Sequence, residues 1–263
     1  MSAPTWLVWI GAWGATATLM AVLWEVQRRR KNAGIVDVAW AFGTALVGIA
    51  FCVFGTGAVG RRALLGTLIG VWGLRLGTHL WRRVASEKED GRYRELRKTW
   101  GETQQKWLFV FFQIQASWAL IFASSIFFAA RNDRTLPALY DFLGVGIWLI
   151  AIAGETVADR QLSRFRSNPE NRGKVCRQGL WAWSRHPNYF FEWVHWFGYV
   201  AIGWAAPWGF LTLIGPMVML LFLLKITGIP PTESQALRSR GESYRRYQNE
   251  VSVFIPLPPR RAR

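Results

Sequence analysis

The chain has almost no cysteine, little acid and no long polar stretch, and each shortage excludes something. Its two cysteines fall one in an apolar run (Cys52) and one in a basic loop (Cys176). Thiols at different membrane depths cannot meet disulfide geometry, and neither has a Cys or His neighbour at metal-ligand spacing. No disulfide framework and no metal site is expected. Acid is scarce too: 16 Asp and Glu stand against 32 Lys and Arg, a formal charge of +16. In a soluble protein that excess suggests nucleic acid. Here no polar segment of domain length separates the apolar runs, and membrane proteins collect Lys and Arg in their cytoplasmic loops. A lipid membrane accounts for the charge, and no nucleic-acid partner is expected. The chain also lacks a Gly-x-Ser-x-Gly elbow, a Walker lysine loop and a Gly-x-Gly-x-x-Gly fingerprint, which argues against the common soluble hydrolase, NTPase and Rossmann sites. Its start has neither a cationic n-region nor a cleavage site, so the first apolar run is expected to be a retained helix.

What is present is hydrophobic sequence, 51% of the chain, with 17 Trp and 17 Phe. Seven runs approach the roughly 20 apolar residues that a span requires. They are Thr5 to Val26, Gly34 to Phe54, Arg62 to Trp81, Trp107 to Ala130, Ala138 to Asp159, Pro187 to Ala205 and Trp208 to Gly228. The expected fold is all-α: one domain over residues 1–263, a bundle of seven transmembrane helices, with residues 228–263 as a cytoplasmic tail. Arginine clusters follow the first, third and fifth runs and fill the tail as far as Arg263, whereas the other side holds only Arg61, Arg62, Arg131 and Arg134. That asymmetry puts the amino terminus outside and the carboxyl terminus in the cytoplasm. The last residues, Pro-Leu-Pro-Pro and Arg-Arg-Ala-Arg, are expected to form a frayed end.

Ionisable residues inside such runs are expensive and point to function. Asp37 and Trp40 share a helix face in the second run. A protonated Asp37 could donate to a carbonyl oxygen; alternatively it caps the helix or pairs with Lys31. In the third, Arg75, His79 and either Arg82 or Arg83 recur at helical spacing. Arg92 and Arg97 suit phosphates and Tyr93 an aromatic ring, or the segment is a solvated amphipathic turn. Glu155, Asp159, Leu162 and Arg166 form one stripe, fit for a ribose and its phosphates or for a salt-bridge ladder. The richest segment runs from Gly179 to Trp193. Pro187 suits a first helical turn there, whose exposed amides favour an anion. Asn188, Glu192, His195 and Tyr199 then recur as a polar stripe through a span. Tyr244 and Tyr247 lie among arginines, either as an amphipathic helix on anionic lipid or as a flap over a cofactor.

Three segments carry a resemblance. Arg-Leu-Gly-Thr-His-Leu-Trp-Arg-Arg (75–83), Glu-Asp-Gly-Arg-Tyr (89–93) and Ser-Arg-His-Pro-Asn-Tyr-Phe-Phe-Glu-Trp (184–193) together resemble the bacterial branch of the steroid 5α-reductase family. The resemblance spans about Asp37 to Pro256. It implies an NADPH-dependent oxidoreductase of steroid and lipid metabolism that reduces the Δ4 double bond of 3-oxo-steroids. The enzyme would be a monomer in a bacterial inner membrane with its cofactor site facing the cytoplasm. The substrate, a steroid or other apolar enone, would enter from the bilayer. Asn188 and Glu192 resemble the positions that hold the nicotinamide amide, and Asp159 and Arg166 those on the adenosine side. The cofactor set is completed by Arg82, Arg92, Tyr93, Arg97, Asn168, Lys174, Arg185, His186, Tyr189, Tyr244 and Tyr247. Trp196 resembles a substrate-facing aromatic, with Trp40 and Tyr199 beside it. Asp37 and His79 are the catalytic pair that the resemblance implies. Here the chain departs from the eukaryotic pattern: Val36-Asp37 stands where a Gln-Glu pair is expected, and His79 where a catalytic Tyr is expected. The Arg-His-Pro-x-Tyr element also occurs in isoprenylcysteine and phospholipid methyltransferases, which use S-adenosylmethionine. That is the alternative reading.

Overall fold

The computed structural model describes residues 4–86, 88–134 and 138–260. Arg261 and Arg263 of the expected frayed end lie outside the described residues. Every regular element among the described residues is helical. The ten α-helices are α1 (Thr5–Arg30), α2 (Ile35–Val53), α3 (Val59–Ser86), α4 (Gly91–Trp100), α5 (Gln104–Ala129), α6 (Leu139–Ser167), α7 (Pro187–Gly203), α8 (Ile214–Leu221), α9 (Ile229–Arg240) and α10 (Glu242–Glu250).

Six helical segments among the described residues are long and apolar enough to cross a membrane: α1, α2, α3, Gly91–Ala129, α6 and Gly209–Arg240. The expected sixth run folds as α7, which has 17 residues. At 1.5 Å per residue it reaches about 25 Å, the short end of what a hydrocarbon core of roughly 30 Å accepts. The side chains turned outward match lipid: Trp6, Ile10 and Trp13 of α1 and Leu139, Phe142 and Ile150 of α6 are all exposed. Exposed apolar surface on this scale marks a membrane contact in a helical protein.

The chain divides into two compact units. The first comprises Met1–Asp141 and Tyr199–Gly215. Its core is aromatic, with Phe51, Trp72, Phe112 and Phe122 fully or almost fully buried. Trp40 meets Trp72 and Phe122 edge-on, at ring separations of 6.0 and 5.2 Å, the geometry that aromatic quadrupoles favour. Arg61, in the first turns of α3, is fully buried against Asp141, which accepts from its Nε at 3.0 Å and its Nη2 at 2.6 Å.

The second unit comprises Phe142–Gly198 and Pro216–Arg263. Close packing of α6 and α7 depends on Gly154, where a Cβ would lie 2.5 Å from the Phe191 ring. The last apolar run is not one continuous helix. After α8 comes a π-helical turn, Phe222–Ile226, and the chain then breaks at Gly228. A Cβ on Gly228 would sit 2.7 Å from the Leu223 backbone, and Pro230 and Pro231 then fill the first turn of α9. Pro suits that position because its missing N–H has no intrahelical partner to lose.

The described part of the tail, to residue 260, is docked, contrary to the frayed end expected there. Ser184 donates to the Phe254 carbonyl at 2.7 Å, Leu257 N to Trp183 O at 3.0 Å and Arg260 N to Glu250 O at 2.8 Å. The composition looked disordered, but Val251 and Phe254 are buried apolar anchors.

Candidate functional site

In the first unit, α2 begins two residues before Asp37, which therefore sits in its first turn. Tyr93, from α4, donates its hydroxyl to Asp37 Oδ1 at 2.6 Å, and Arg92 Nη2 donates to Oδ2 at 3.0 Å. The described partners of Asp37 are thus Arg92 and Tyr93 rather than Lys31. Asp90 caps α4 by accepting from Arg92 N at 2.9 Å and pairs with Arg83 at 2.8 Å. Arg97 is held by Glu89 at 3.0 Å and donates to the buried Gln27 at 2.9 Å. Glu89 in turn accepts from Ala33 N at 2.7 Å. The Glu-Asp-Gly-Arg-Tyr segment is thus a half-buried polar clasp that fixes α4 beside the start of α2. Tyr93 is buried, with Phe111 near its ring. His79 lies half-buried in α3 and Arg82 is exposed at its end.

The clasp carries a pH signature. Burial raises the Asp90 carboxyl, but the Arg92 and Arg83 guanidinium groups and the Arg92 amide outweigh it and hold it below its ordinary value of 3.8. A carboxylate with a depressed folded-state pKa stabilises above its unfolded value, and that contribution is lost as pH falls through the folded one. The melting temperature should fall on acidification below about pH 4, the ordinary carboxylate range. Asp90→Asn should lose part of that acid limb. Identical acid profiles for the two proteins would contradict the clasp.

In the second unit, Asn188 is in the first turn of α7 and donates to Asp159 Oδ1 on α6 at 3.2 Å. The other end of its amide, Oδ1, is buried with no hydrogen-bond partner. An orphan acceptor of this kind is costly and asks for a donor. One turn on, Glu192 is buried, and the fully buried His195 holds the Glu192 carbonyl through Nδ1 at 2.5 Å. Trp196 is fully buried on the same helix, as is Tyr199, which belongs to the first unit.

Down the same α6 stripe from Asp159 come Leu162 and Arg166, which line an open cavity of about 490 Å³. Asn168 and Lys174 line it as well. Three of the expected cofactor positions therefore share one cavity. Sequence reasoning did not single out two further cations in its wall, Arg172 and Arg240; Arg240 comes from α9, and nothing in its local pattern set it apart. Cys176 is also in the wall, a buried free thiol whose pKa burial raises.

Arg185, His186, Tyr189, Tyr244 and Tyr247 gather elsewhere in this unit, around the tail. Glu233 is their hub, another residue that the sequence did not flag. It accepts from Arg185 Nε at 2.6 Å, His186 Nε2 at 3.2 Å and Gln248 at 2.9 Å. Tyr244 reaches the same carboxylate at 3.4 Å. Tyr247 donates to the Trp181 carbonyl at 2.5 Å, and Tyr189 stacks on His186 with its hydroxyl 3.3 Å from Thr232. Burial holds the His186 imidazole below its ordinary value, against the opposite pull of Glu233. These side chains hold the tail to the Trp181–Arg185 turn.

Apolar helices of membrane-crossing length, with polar clusters set among them, define the class: an all-helical integral membrane protein. Within that class the chain belongs to the family described as "Protein of unknown function (DUF1295)", whose model matches residues 23–251. It is also similar to an uncharacterised protein of Schizosaccharomyces pombe, 24% identical over 89% of this chain and 76% of that protein. No solved structure matches the chain. Among the described residues no group of His, Cys, Asp and Glu could hold a metal ion.

Proposed function

We propose that this protein is an NADPH-dependent membrane reductase of conjugated ketones, with Δ4-3-oxo-steroids as the substrate class. The supporting observation is the arrangement along α6. At one end the Asn188 amide is oriented by Asp159, with an orphan acceptor. Seven residues away, roughly 10 Å along the helix, Arg166 opens a cation-lined cavity. An acceptor that wants an amide N–H at one end and phosphate-binding cations at the other match a nicotinamide dinucleotide. S-adenosylmethionine has no phosphate for those cations to meet.

Asn188 and Glu192 would hold the carboxamide, and Arg166, Asn168 and Lys174 the phosphates. Bound NADPH would supply hydride to the β-carbon of the enone and leave as NADP⁺. Negative charge then develops on the substrate ketone oxygen, and a proton is needed at the α-carbon. Asp37, in its protonated form, and His79 are assigned that donor work, with Tyr93 bonded to Asp37. Trp40, Trp196 and Tyr199 supply apolar wall for the substrate. The orientation that fits puts the amino terminus outside and the arginine-rich loops in the cytoplasm of a bacterial inner membrane, with α7 completing seven spans in a monomer.

The test is ligand-dependent stability. NADPH should raise the melting temperature of the purified protein and S-adenosylmethionine should not. Arg166→Ala should weaken NADPH binding about tenfold or more, the scale of a charge-assisted bond, and leave turnover at saturating NADPH nearly unchanged. Stabilisation by S-adenosylmethionine alone would replace this reading with the methyltransferase one.

A further inference from the structure

The α6 cavity contains more positive charge than a dinucleotide's pyrophosphate requires. Arg166, Arg172, Lys174 and Arg240 all line it, and no carboxylate does. Among the described residues none of Arg172, Lys174 and Arg240 takes part in a salt bridge. The like charges of Arg172, Lys174 and Arg240 repel one another, and a doubly charged anion relieves that cost. The loop is also built in advance of any ligand. Asn168 Oδ1 accepts from Glu170 N at 3.0 Å, Asn171 donates its side-chain amide to Phe165 O at 3.0 Å, and Lys174 N donates to Asn171 O at 3.0 Å. Gly173, at φ 80°, turns the chain between two of the cations. Leu162 and Phe165 add an apolar wall. A cavity of about 490 Å³ is of small-molecule size and far larger than a bare phosphate needs.

We propose that this cavity is a phosphomonoester site for a nucleotide, that Arg172 and Arg240 are its specificity-determining cations, and that it thereby distinguishes a dinucleotide with a ribose phosphate from one without. The site itself is inferred from the cavity; only the identity of the dinucleotide rests on the reductase reading. Arg240 is tied into the wall by its Nε bond to the Lys174 carbonyl at 3.0 Å. The carboxy-terminal region therefore contributes directly to the anion site.

The full chain, held in phosphatidylcholine nanodiscs, is titrated with adenosine 2′,5′-bisphosphate and with adenosine 5′-diphosphate. The first should bind at least about tenfold tighter. Arg172→Gln and Arg240→Gln should each remove about tenfold of that preference while leaving the melting temperature of the empty protein unchanged. Arg164→Gln, an exposed cation outside the cavity, should not. Equal affinity for the two nucleotides overturns the proposal, as does an equal loss in the Arg164 variant. So does abolition of nucleotide binding in phosphatidylglycerol nanodiscs, which would assign the cavity to a lipid headgroup. Bisphosphate binding without any ketosteroid-dependent NADPH oxidation would keep this site and remove the reductase. Reduction at equal rates with NADH and NADPH would keep the reductase and remove this site.

Discussion

Replacing Asp37 or His79 with alanine should lower ketone-dependent turnover about a hundredfold and leave NADPH affinity within a few-fold of wild type. In a conjugate reduction the charge that must be stabilised develops on the ketone oxygen. A donor aimed there in a dry site is worth on the order of 3 kcal/mol, which is about a hundredfold in rate. Asp37 also accepts from Tyr93 and Arg92, so alanine removes two structural bonds along with the carboxyl group. Asp37→Asn separates the effects, because an amide oxygen still accepts from Tyr93 but the group has no acid to give. The asparagine variant should keep most of the melting temperature and lose most of the turnover. Normal turnover in both Asp37→Ala and His79→Ala would remove the assignment.

The second large effect is on stability. Arg61 and Asp141 form a two-pronged pair whose side chains are 2% and 6% exposed. Arg61 Nη1 also donates to the Arg134 carbonyl at 2.6 Å, and Asp141 Oδ2 accepts from Ala138 N at 2.9 Å. Breaking a buried pair from one side strands the other charge, at a cost of about 3–5 kcal/mol. Arg61→Leu and Asp141→Leu should each fall in that range in denaturation experiments in detergent micelles. The double variant should cost less than either single one, since it leaves no orphan charge. Single-variant losses below about 1 kcal/mol that simply add would contradict the pair.

This pair also marks the limit of what the chain discloses locally. Arg61 looks like a loop charge beside Arg62, because its partner is 80 residues away and no periodicity encodes that distance. Run length and hydropathy disclosed the helices well, since a span's apolar content is a local property. They ended the last run at Gly228, where the chain breaks, but did not disclose the π-helical turn before it, which depends on Gly228 backing onto the Leu223 backbone. Spacing on α6 groups Leu162 with Arg166, and both line the cavity that Asn168 and Lys174 also line. The arginines of the Glu-Asp-Gly-Arg-Tyr segment were harder to read. A cation that meets a phosphate and one that clasps Asp37 or Glu89 have the same local sequence, and only the fold shows that Arg92 and Arg97 are engaged internally. Glu233 was invisible for a related reason: a single acid in an amphipathic helix gives no sign that it will collect Arg185, His186 and Gln248.

The most direct measurement follows the NADPH absorbance of the purified full-length protein before and after addition of a Δ4-3-ketosteroid, with mass spectrometry of the steroid. The account expects slow or no oxidation alone, rapid oxidation once the enone is present, and a product heavier by two hydrogens. NADPH that stays reduced with every enone offered, while wild-type protein remains folded, would contradict it.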